Sequence, residues 1–321
     1  ILSSCRSRAS TRWSMANIHG LGDLGGPEQG EYSALRNNQF RQQNQPFWGQ
    51  PDEESPDRGA PAGHVPLTRR SIRLPDLGDI FAPWFHYKSV TFALTLIEIA
   101  AFLVTCYVGQ FMFDGALVKS NPFAGPSTKT LLFMGAKSTP LIRGSYEYWR
   151  LISPIFLHGG VLHLASNLFF LSQCSYSFEL RWGRWNLLGI FLISGITGDM
   201  LSTLGAPDTI SVGASGCLFG LLGADLVYLY LNWRHIPSRE SNYELCFVSC
   251  VLLINTLIGG STLVDNFAHF GGLVGGAVCG FSLVKMLRPD QDPYKDTYRK
   301  GGMIGILIMW CGFFAALYAI P

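Results

Sequence analysis

The chain has 321 residues, of which 48% are hydrophobic and only 14% are charged, and its mean hydropathy is positive. These values suit a polytopic membrane protein better than a soluble domain of this length. The formal net charge of +2 gives no reason to expect a nucleic-acid partner, and the eight cysteines form no CxxC or Cys/His cluster that would indicate a metal site or a disulfide framework.

Residues 1–85 are rich in Gly, Pro, Gln, Asn and charged residues, as in the stretch 42–56. Such a segment buries too little apolar surface to offset the entropy of ordering it, so we predict a disordered cytosolic tail. A regulatory or trafficking signal could lie in this tail, but nothing in the sequence identifies one. Its basic cluster at 69–73 would either face an anionic cytosolic leaflet or act as a solvated linker.

Seven apolar runs follow the tail, and their lengths suit membrane helices. They cover 89–113, 153–173, 185–204, 212–233, 243–259, 267–287 and 302–320. The second run is the most polar, and we expect its polar side chains to face the interior of a helix bundle. The sequence therefore predicts an all-α polytopic membrane protein. No internal repeat is visible, which argues against an inverted-repeat transporter.

The charges in the loops indicate how the helices cross the membrane. With the tail in the cytosol, the cytosolic loops carry many basic residues, whereas the opposite loops at 205–211 and 260–266 carry Asp208 and Asp265 but no Lys or Arg. The connection 114–152 is an exception, because it lies outside in this arrangement and contains five basic residues. The remaining loops predict a cytosolic N-terminus and a non-cytosolic C-terminus.

This arrangement brings polar residues of three separate helices to one depth. The second, fourth and sixth runs all enter from the non-cytosolic side, so their first turns lie near that face. Five polar residues lie early in these runs, namely His158, His163, Asn167, Ser215 and His269. Serine and glycine alone are common packing residues in membrane helices, but a convergence of this kind favours a reaction site.

Ser215 and His269 are the candidates for nucleophilic catalysis in this layer, because a neutral imidazole can remove the proton of a serine hydroxyl. No Asp or Glu lies early in the three runs to orient the histidine, so we predict a Ser–His dyad whose ring is held by an apolar or aromatic group. Phe219, four residues after Ser215, either stacks on this ring or packs in the core. An α/β-hydrolase elbow is excluded, because Cys217 replaces its second glycine.

His163 and Asn167 are candidates for stabilising an oxyanion. They are spaced i, i+4 on one face of the second run, and together with the backbone N–H of Ser215 they could surround a developing negative charge. His158 precedes them by more than a turn. Its side chain would contact water or hold the loop, or it would be an ordinary polar residue of the membrane interface.

Glycines at regular spacing predict a close contact between the fourth and sixth runs. Gly216 and Gly220 lie four residues apart in the fourth run, and Gly272 and Gly276 lie four residues apart on the histidine-bearing face of the sixth. Small residues at this spacing let two helix backbones approach closely. A side chain as short as serine needs this closeness to reach a histidine on the partner helix.

Taken in order along the chain, these residues resemble the rhomboid family of intramembrane serine proteases. The matching residues are Trp149-Arg150, His158, His163-x-x-x-Asn167, Gly213-Ala214-Ser215-Gly216, and His269 with Gly272 and Gly276. The resemblance implies that Ser215 is the nucleophile, that His269 is the general base and that His163 and Asn167 complete an oxyanion hole supported by Gly213. It also implies a structural Trp149–Arg150 pair in the first loop. Phe219 stands where many members have an aromatic residue, often Tyr, against the catalytic histidine.

The resemblance covers residues 86–287, which we expect to form a six-helix protease core, and leaves 288–321 as a linker and a seventh membrane helix. This six-plus-one layout resembles the eukaryotic secretase-like class rather than the mitochondrial type, whose extra helix precedes the core. The chain is also similar to apicomplexan rhomboids. The class implies a multi-pass protein of the secretory pathway, in the Golgi, a secretory organelle or the plasma membrane.

The resemblance further implies that the substrates are single-pass transmembrane proteins, cleaved within the lipid bilayer near its non-cytosolic face without a metal or other cofactor. Two alternatives stay open. The first is a catalytically silent protein that binds membrane clients, against which the intact Ser215 and His269 argue. The second, with less support, is a transporter, against which the clustering of the polar groups at one depth argues.

Glu98, Asp199 and Asp225 are carboxyl residues within the apolar runs. A carboxyl group at membrane depth is usually an interior group that is paired or protonated, and a proton or ion pathway is the sharper alternative. Glu98 and Asp225 lie too deep for the reaction layer, so we expect both to make structural contacts. Asp199 lies nearer to that layer, but the sequence gives it no catalytic role.

Overall fold

A computed structural model describes residues 88–258 and 264–319 of the chain, the side chains of 256–258 excepted. The predicted N-terminal tail lies outside these residues. Within them the chain forms nine α-helices, three short 3-10 helices and no β-strand, which confirms the all-α class. The α-helices are α1 (Val90–Met112), α2 (Thr128–Met134), α3 (Thr139–Gly144), α4 (Val161–Trp182), α5 (Arg184–Gly205), α6 (Ser215–Asn232), α7 (Ser238–Ile258), α8 (Asn266–Leu283) and α9 (Lys295–Ala319).

The long helices form the bundle of a polytopic membrane protein. Four of them, α1, α5, α6 and α9, are long and apolar enough to cross a membrane. The apolar windows of α5 and α6 are 61% and 72% buried, against 28% and 17% for α1 and α9. The first two therefore form the centre of the bundle and the other two lie at its periphery. The more polar α4 and α7 and the glycine-rich α8 complete it.

Helix α8 packs very closely on α6, because glycines line the contact. A methyl group at Gly272 would overlap the carbonyl oxygen of Gly216, and one at Gly276 would overlap that of Gly220. This is the close approach that the spacing of the four glycines predicts. Side chains at the start of α6 can therefore reach across to α8.

The predicted bounds of the second apolar run are wrong. Its first part, Ser153–Phe156, is a 3-10 helix, and α4 begins only at Val161 and continues well past residue 173. The backbone N–H of Val161 donates to the carbonyl of Ala124 in the preceding loop, so this loop caps α4. His158 consequently lies in the connection before α4 and not within a membrane helix.

Arg150 organises the loop between α1 and α4. The residue is 6% exposed, and its guanidinium donates to the carbonyls of Leu132 and Ala136 at 2.8 and 3.0 Å and to the carboxylate of Glu147 at 2.6 Å. The same guanidinium lies 4.4 Å from the centre of the Trp149 ring. Arginine can make several such bonds at once because its donors are fixed in one plane.

The last helix, α9, packs against α5 and α8. The indole N–H of Trp310 donates to the hydroxyl of Thr197 on α5 at 3.0 Å. Near the end of α9, Arg143 of the first loop donates to the carbonyl of Leu317 at 2.8 Å, and the hydroxyls of Tyr148 and Tyr318 are hydrogen-bonded. Helix α9 therefore supports both the bundle and the first loop.

Asp225 makes the structural contact that we expected for it. Its carboxylate on α6 is 3.3 Å from the guanidinium of Arg181 on α4, and the same guanidinium also pairs with Glu244 on α7. A buried carboxylate needs such a partner, because its desolvation is otherwise costly. The ion pair joins three helices at the end of the bundle away from Ser215.

Candidate active site

Ser215 is the first residue of α6, and the chain turns sharply just before it. Gly213 has a φ of +124°, which side-chain-bearing residues rarely adopt, and its N–H donates to the carbonyl of Pro154 at 2.9 Å. A methyl group at Gly213 would also lie 2.7 Å from Cε1 of His163. Glycine is therefore needed here, both for the turn and for the close approach of the His163 ring.

The hydroxyl of Ser215 and the imidazole of His269 are in direct contact. Serine Oγ lies 2.7 Å from Nε2 of the histidine, which sits on the first turn of α8 and is 9% exposed. When Nε2 is unprotonated, the serine O–H donates to it and can pass its proton along this bond. The contact crosses the glycine-lined interface between α6 and α8.

Phe219 stacks on this histidine. The two ring centroids are 4.4 Å apart and the ring planes differ by 11°. The sequence allows Phe219 either to stack on the histidine or to pack in the core, and the structure shows the stacking. The contact restricts the tilt of the imidazole without supplying a hydrogen bond.

The other ring nitrogen of His269 has a polar partner that the sequence reasoning missed. Nδ1 lies 2.9 Å from Oδ1 of Asn255, a half-buried residue near the end of α7. The predicted aromatic contact is therefore present, but the ring also has a polar partner that lies outside the first turns of the second, fourth and sixth runs. The last turns of an antiparallel neighbour reach the same depth, and this rule would have found Asn255.

His163 faces the start of α6 with a defined tautomer. Its Nδ1 accepts a hydrogen bond from the backbone N–H of Gly159 at 3.3 Å. In the neutral ring the proton is then on Nε2, which lies on the side facing Gly213. His163 thus presents an N–H donor next to the turn that leads into Ser215.

Asn167 lies one turn further along α4 and is 4% exposed. Its Nδ2 donates to the backbone carbonyl of His163 at 2.9 Å. A side-chain amide has two N–H groups, so this bond uses one and leaves the second as a donor. The structure thus places His163 and Asn167 on one face of the same helix, as their spacing predicts.

His158 is fully buried, which rules out an ordinary residue of the membrane interface. Its ring lies edge-on to His163, with centroids 5.4 Å apart, and its Nε2 is 3.8 Å from the carboxylate of Glu98 on α1. The expectation that Glu98 lies too deep to meet the reaction layer is therefore wrong. The connection that carries His158 enters the bundle and packs on α1, and so brings the two together.

A buried lysine supports the segment that carries His269. Lys137 is 0% exposed and donates to the carbonyls of Ser202 and Ala206 at the end of α5. Ser202 in turn donates to the carboxylate of Asp265, which caps α8 by accepting from the N–H of Ala268 at 2.9 Å. Burial lowers the pKa of Lys137 below its ordinary value, and the charges of nearby Asp265, Asp199 and Asp208 oppose this shift.

Comparison with known proteins finds one matching family model and several proteins with similar sequences. Residues 145–286 match the family model described as a Rhomboid domain. The chain is 40% identical to RHOMBOID-like protein 7 of Arabidopsis thaliana over 56% of each chain. It is 38% identical to RHOMBOID-like protein 6, mitochondrial, of the same plant over 57% of this chain and 59% of that protein. It is 30% identical to Rhomboid-like protease 1 of Toxoplasma gondii over 95% of this chain and 96% of that one. The matched part thus spans little more than half the length of the two plant proteins.

Proposed function

The chain belongs to the rhomboid family, and we propose that it is a serine endopeptidase that cleaves the transmembrane helices of other proteins near the non-cytosolic membrane face. The observation that carries this proposal is the 2.7 Å contact between Ser215 Oγ and His269 Nε2 on adjacent helices. Family membership supports intramembrane proteolysis in general. The contact supports activity in this chain, because a protein that only binds clients has no need of it.

In the proposed first step, Ser215 Oγ attacks the carbonyl carbon of a substrate peptide bond while its proton passes to Nε2 of His269. The carbonyl oxygen becomes an oxyanion as the new C–O bond forms. The C–N bond then breaks, and His269 gives its proton to the departing amine. This leaves the acyl group on Ser215. A water molecule, deprotonated by His269 in the same way, releases it and restores the hydroxyl.

The oxyanion needs donors that are already in place. The backbone N–H of Ser215 is the first of α6 and has no carbonyl partner within its own helix. The Nε2–H of His163 and the second N–H of Asn167 are the further candidates. One such donor contributes about 2.7–4 kcal/mol of transition-state stabilisation in a serine protease. We assign His163 and Asn167 to this role.

The substrate helix must unwind locally, because a regular helix engages its carbonyls in hydrogen bonds. We therefore expect single-pass substrates with small residues at the cleaved bond and helix-weakening Gly, Ser or Pro beyond it. The reaction needs only protein groups and water. We propose no metal or other cofactor.

The loop charges and the position of the extra helix support a place in the secretory pathway. The short loops near Asp208 and Asp265 hold no Lys or Arg, which supports a cytosolic N-terminus and a non-cytosolic active site. The extra helix α9 follows the core, as in the secretase-like class, whereas the mitochondrial class has its extra helix before the core. We therefore propose a secretory membrane rather than a mitochondrial one.

The proposal is tested with the purified protein in detergent and a transmembrane peptide substrate. We expect wild type to cleave the peptide and Ser215→Ala to be inactive. Ser177→Ala should cleave like wild type, because this exposed serine bonds only to its own helix in the described structure. Equal cleavage by Ser215→Ala and wild type would contradict the proposal. Binding without cleavage by every folded variant would instead identify a silent client-binding protein.

A further inference from the structure

We propose that Asn255 is a positioning residue for His269, an inference that rests on the proposed function. Its Oδ1 accepts the Nδ1–H of the imidazole at 2.9 Å and so keeps the unprotonated Nε2 directed at Ser215. Asn255, His269 and Ser215 form one chain of hydrogen bonds across α7, α8 and α6. The site then contains a polar third member and is more than a two-residue dyad.

The chemistry requires one tautomer of the histidine. Nε2 can accept the serine proton only if the ring proton is on Nδ1. A proton on Nδ1 needs an acceptor, because the ring is largely buried and an unpaired donor there is costly. The amide oxygen of Asn255 is the acceptor that the structure provides.

Stacking on Phe219 cannot do this alone. If the imidazole rotates by half a turn about its Cβ–Cγ bond, its plane stays the same but each nitrogen exchanges place with a carbon. The stacked contact at 4.4 Å is therefore equally good in both orientations. A hydrogen bond to Nδ1 can form in only one of the two orientations. Asn255 therefore selects the orientation of the ring, which stacking on Phe219 does not.

A neutral amide suits this position better than a carboxylate would. An isolated carboxylate at membrane depth is costly to bury, whereas an amide accepts the same hydrogen bond without a charge. Soluble Cys–His–Asn proteases use an asparagine in the corresponding relation to their histidine. Among the described residues, the titratable groups that act on His269 are His163 on α4 and Asp265, which caps α8.

The helix that carries Asn255 offers a matched control. Its neighbours Leu253 and Ile254 are 59% and 55% exposed, so truncating either should leave the packing of the bundle intact. A general effect of substitution in this turn of α7 would also appear in Ile254→Ala. The loss of a hydrogen bond to His269 would appear only in the Asn255 variants.

The test compares Asn255→Leu, Asn255→Ala, Asn255→Asp and Ile254→Ala in purified protein, using peptide cleavage and the rate of fluorophosphonate labelling as a function of pH. Asn255→Leu and Asn255→Ala should lower kcat about tenfold with KM unchanged, since one hydrogen bond that orients the base is lost. Asn255→Asp should recover much of kcat. Its rate profile should move to higher pH, because the carboxylate favours the protonated histidine. Ile254→Ala should match wild type.

Several outcomes would overturn the inference. The first is an unchanged kcat in both Asn255→Leu and Asn255→Ala. The second is an equal loss of kcat in Ile254→Ala, and the third is a pH–rate profile of Asn255→Asp that coincides with that of wild type. If Asn255→Leu fails to fold, judged by its melting temperature, the Asp variant and its pH profile decide the matter. A wild-type protein that neither cleaves nor labels would overturn the proposed function as well. Failure confined to the Asn255 variants would overturn this inference alone.

Discussion

Phe219 and His269 lie face to face across the contact between α6 and α8, with their ring planes only 11° apart. The aromatic ring closes one side of the imidazole, and Ser215 and Asn255 occupy its two nitrogens. The histidine is therefore held on three sides by residues from two neighbouring helices.

Removing the stacked ring should lower kcat while changing the melting temperature only slightly. Aromatic pairs contribute about 0.5–1.5 kcal/mol beyond the area that they bury, so we expect Phe219→Leu to lower kcat by a few-fold. Phe219→Tyr keeps the ring and should retain most activity. The measurement is kcat alongside the melting temperature of each variant. A Leu variant as fast as wild type would show that the stacking has no role in turnover.

Widening the contact between α6 and α8 should lower the reactivity of Ser215, although no catalytic side chain is replaced. A methyl group at Gly272 would overlap the carbonyl oxygen of Gly216, and overpacking of this kind typically costs about 1–3 kcal/mol. We expect Gly272→Ala to lower both the melting temperature and the rate at which Ser215 is labelled. Gly312→Ala on α9 is the matched control, because a methyl group there meets no neighbour within 4 Å in the described structure. Equal behaviour of the two variants would contradict the role of the close contact.

Asn167→Ala should slow turnover while sparing substrate binding. In the proposed mechanism the lost donor serves the oxyanion and not the bound substrate, so kcat should fall by about 10²–10³ with KM little changed. Asn186→Ala is a control with the same local geometry, since Asn186 also donates Nδ2 to the carbonyl four residues earlier at 2.9 Å. It should behave like wild type. If substrate binding collapses in Asn167→Ala, the oxyanion assignment is wrong.

Lys137→Met should destabilise the protein by about 1–3 kcal/mol, because two carbonyls at the end of α5 lose their donor. The pKa of Lys137 is lowered from 10.5, so at alkaline pH just below this value the unfolded chain binds more protons than the folded one. Raising the pH in that window therefore stabilises wild type.

The measurement is the melting temperature as a function of pH. The gap between wild type and Lys137→Met should widen as the pH rises through that window. Lys129→Met is the control, since the Lys129 side chain is 76% exposed and its replacement should leave the melting temperature unchanged. A gap that stays constant with pH would show that Lys137 does not titrate in the folded protein as its burial implies.

The convergence at the site could be predicted because it depends on helix direction and spacing. Alternating directions place Ser215 and His269 at one depth, and the glycine spacing brings their helices together. Both follow from periodic patterns that a sequence displays directly. The stacking of Phe219 follows from the same helical spacing.

What could not be predicted depends on contacts between segments distant in sequence. The direction of α7 predicts the depth of Asn255, but it does not predict that the amide meets the ring of His269. The sequence predicts Lys137 to be an ordinary charge of a loop, although tertiary contacts bury it beneath the end of α5. It also predicts His158 within a membrane helix, but hydrogen bonds from the first loop delay the start of α4. In each case tertiary structure overrides the local pattern.

Mapping fluorophosphonate labelling by peptide mass spectrometry tests directly whether His269 activates Ser215. We predict a single adduct on Ser215 in wild type, and no adduct at that position in His269→Ala, because the serine then lacks its base. An adduct on a different residue, or undiminished labelling of Ser215 in His269→Ala, would show that the two residues do not form the active site.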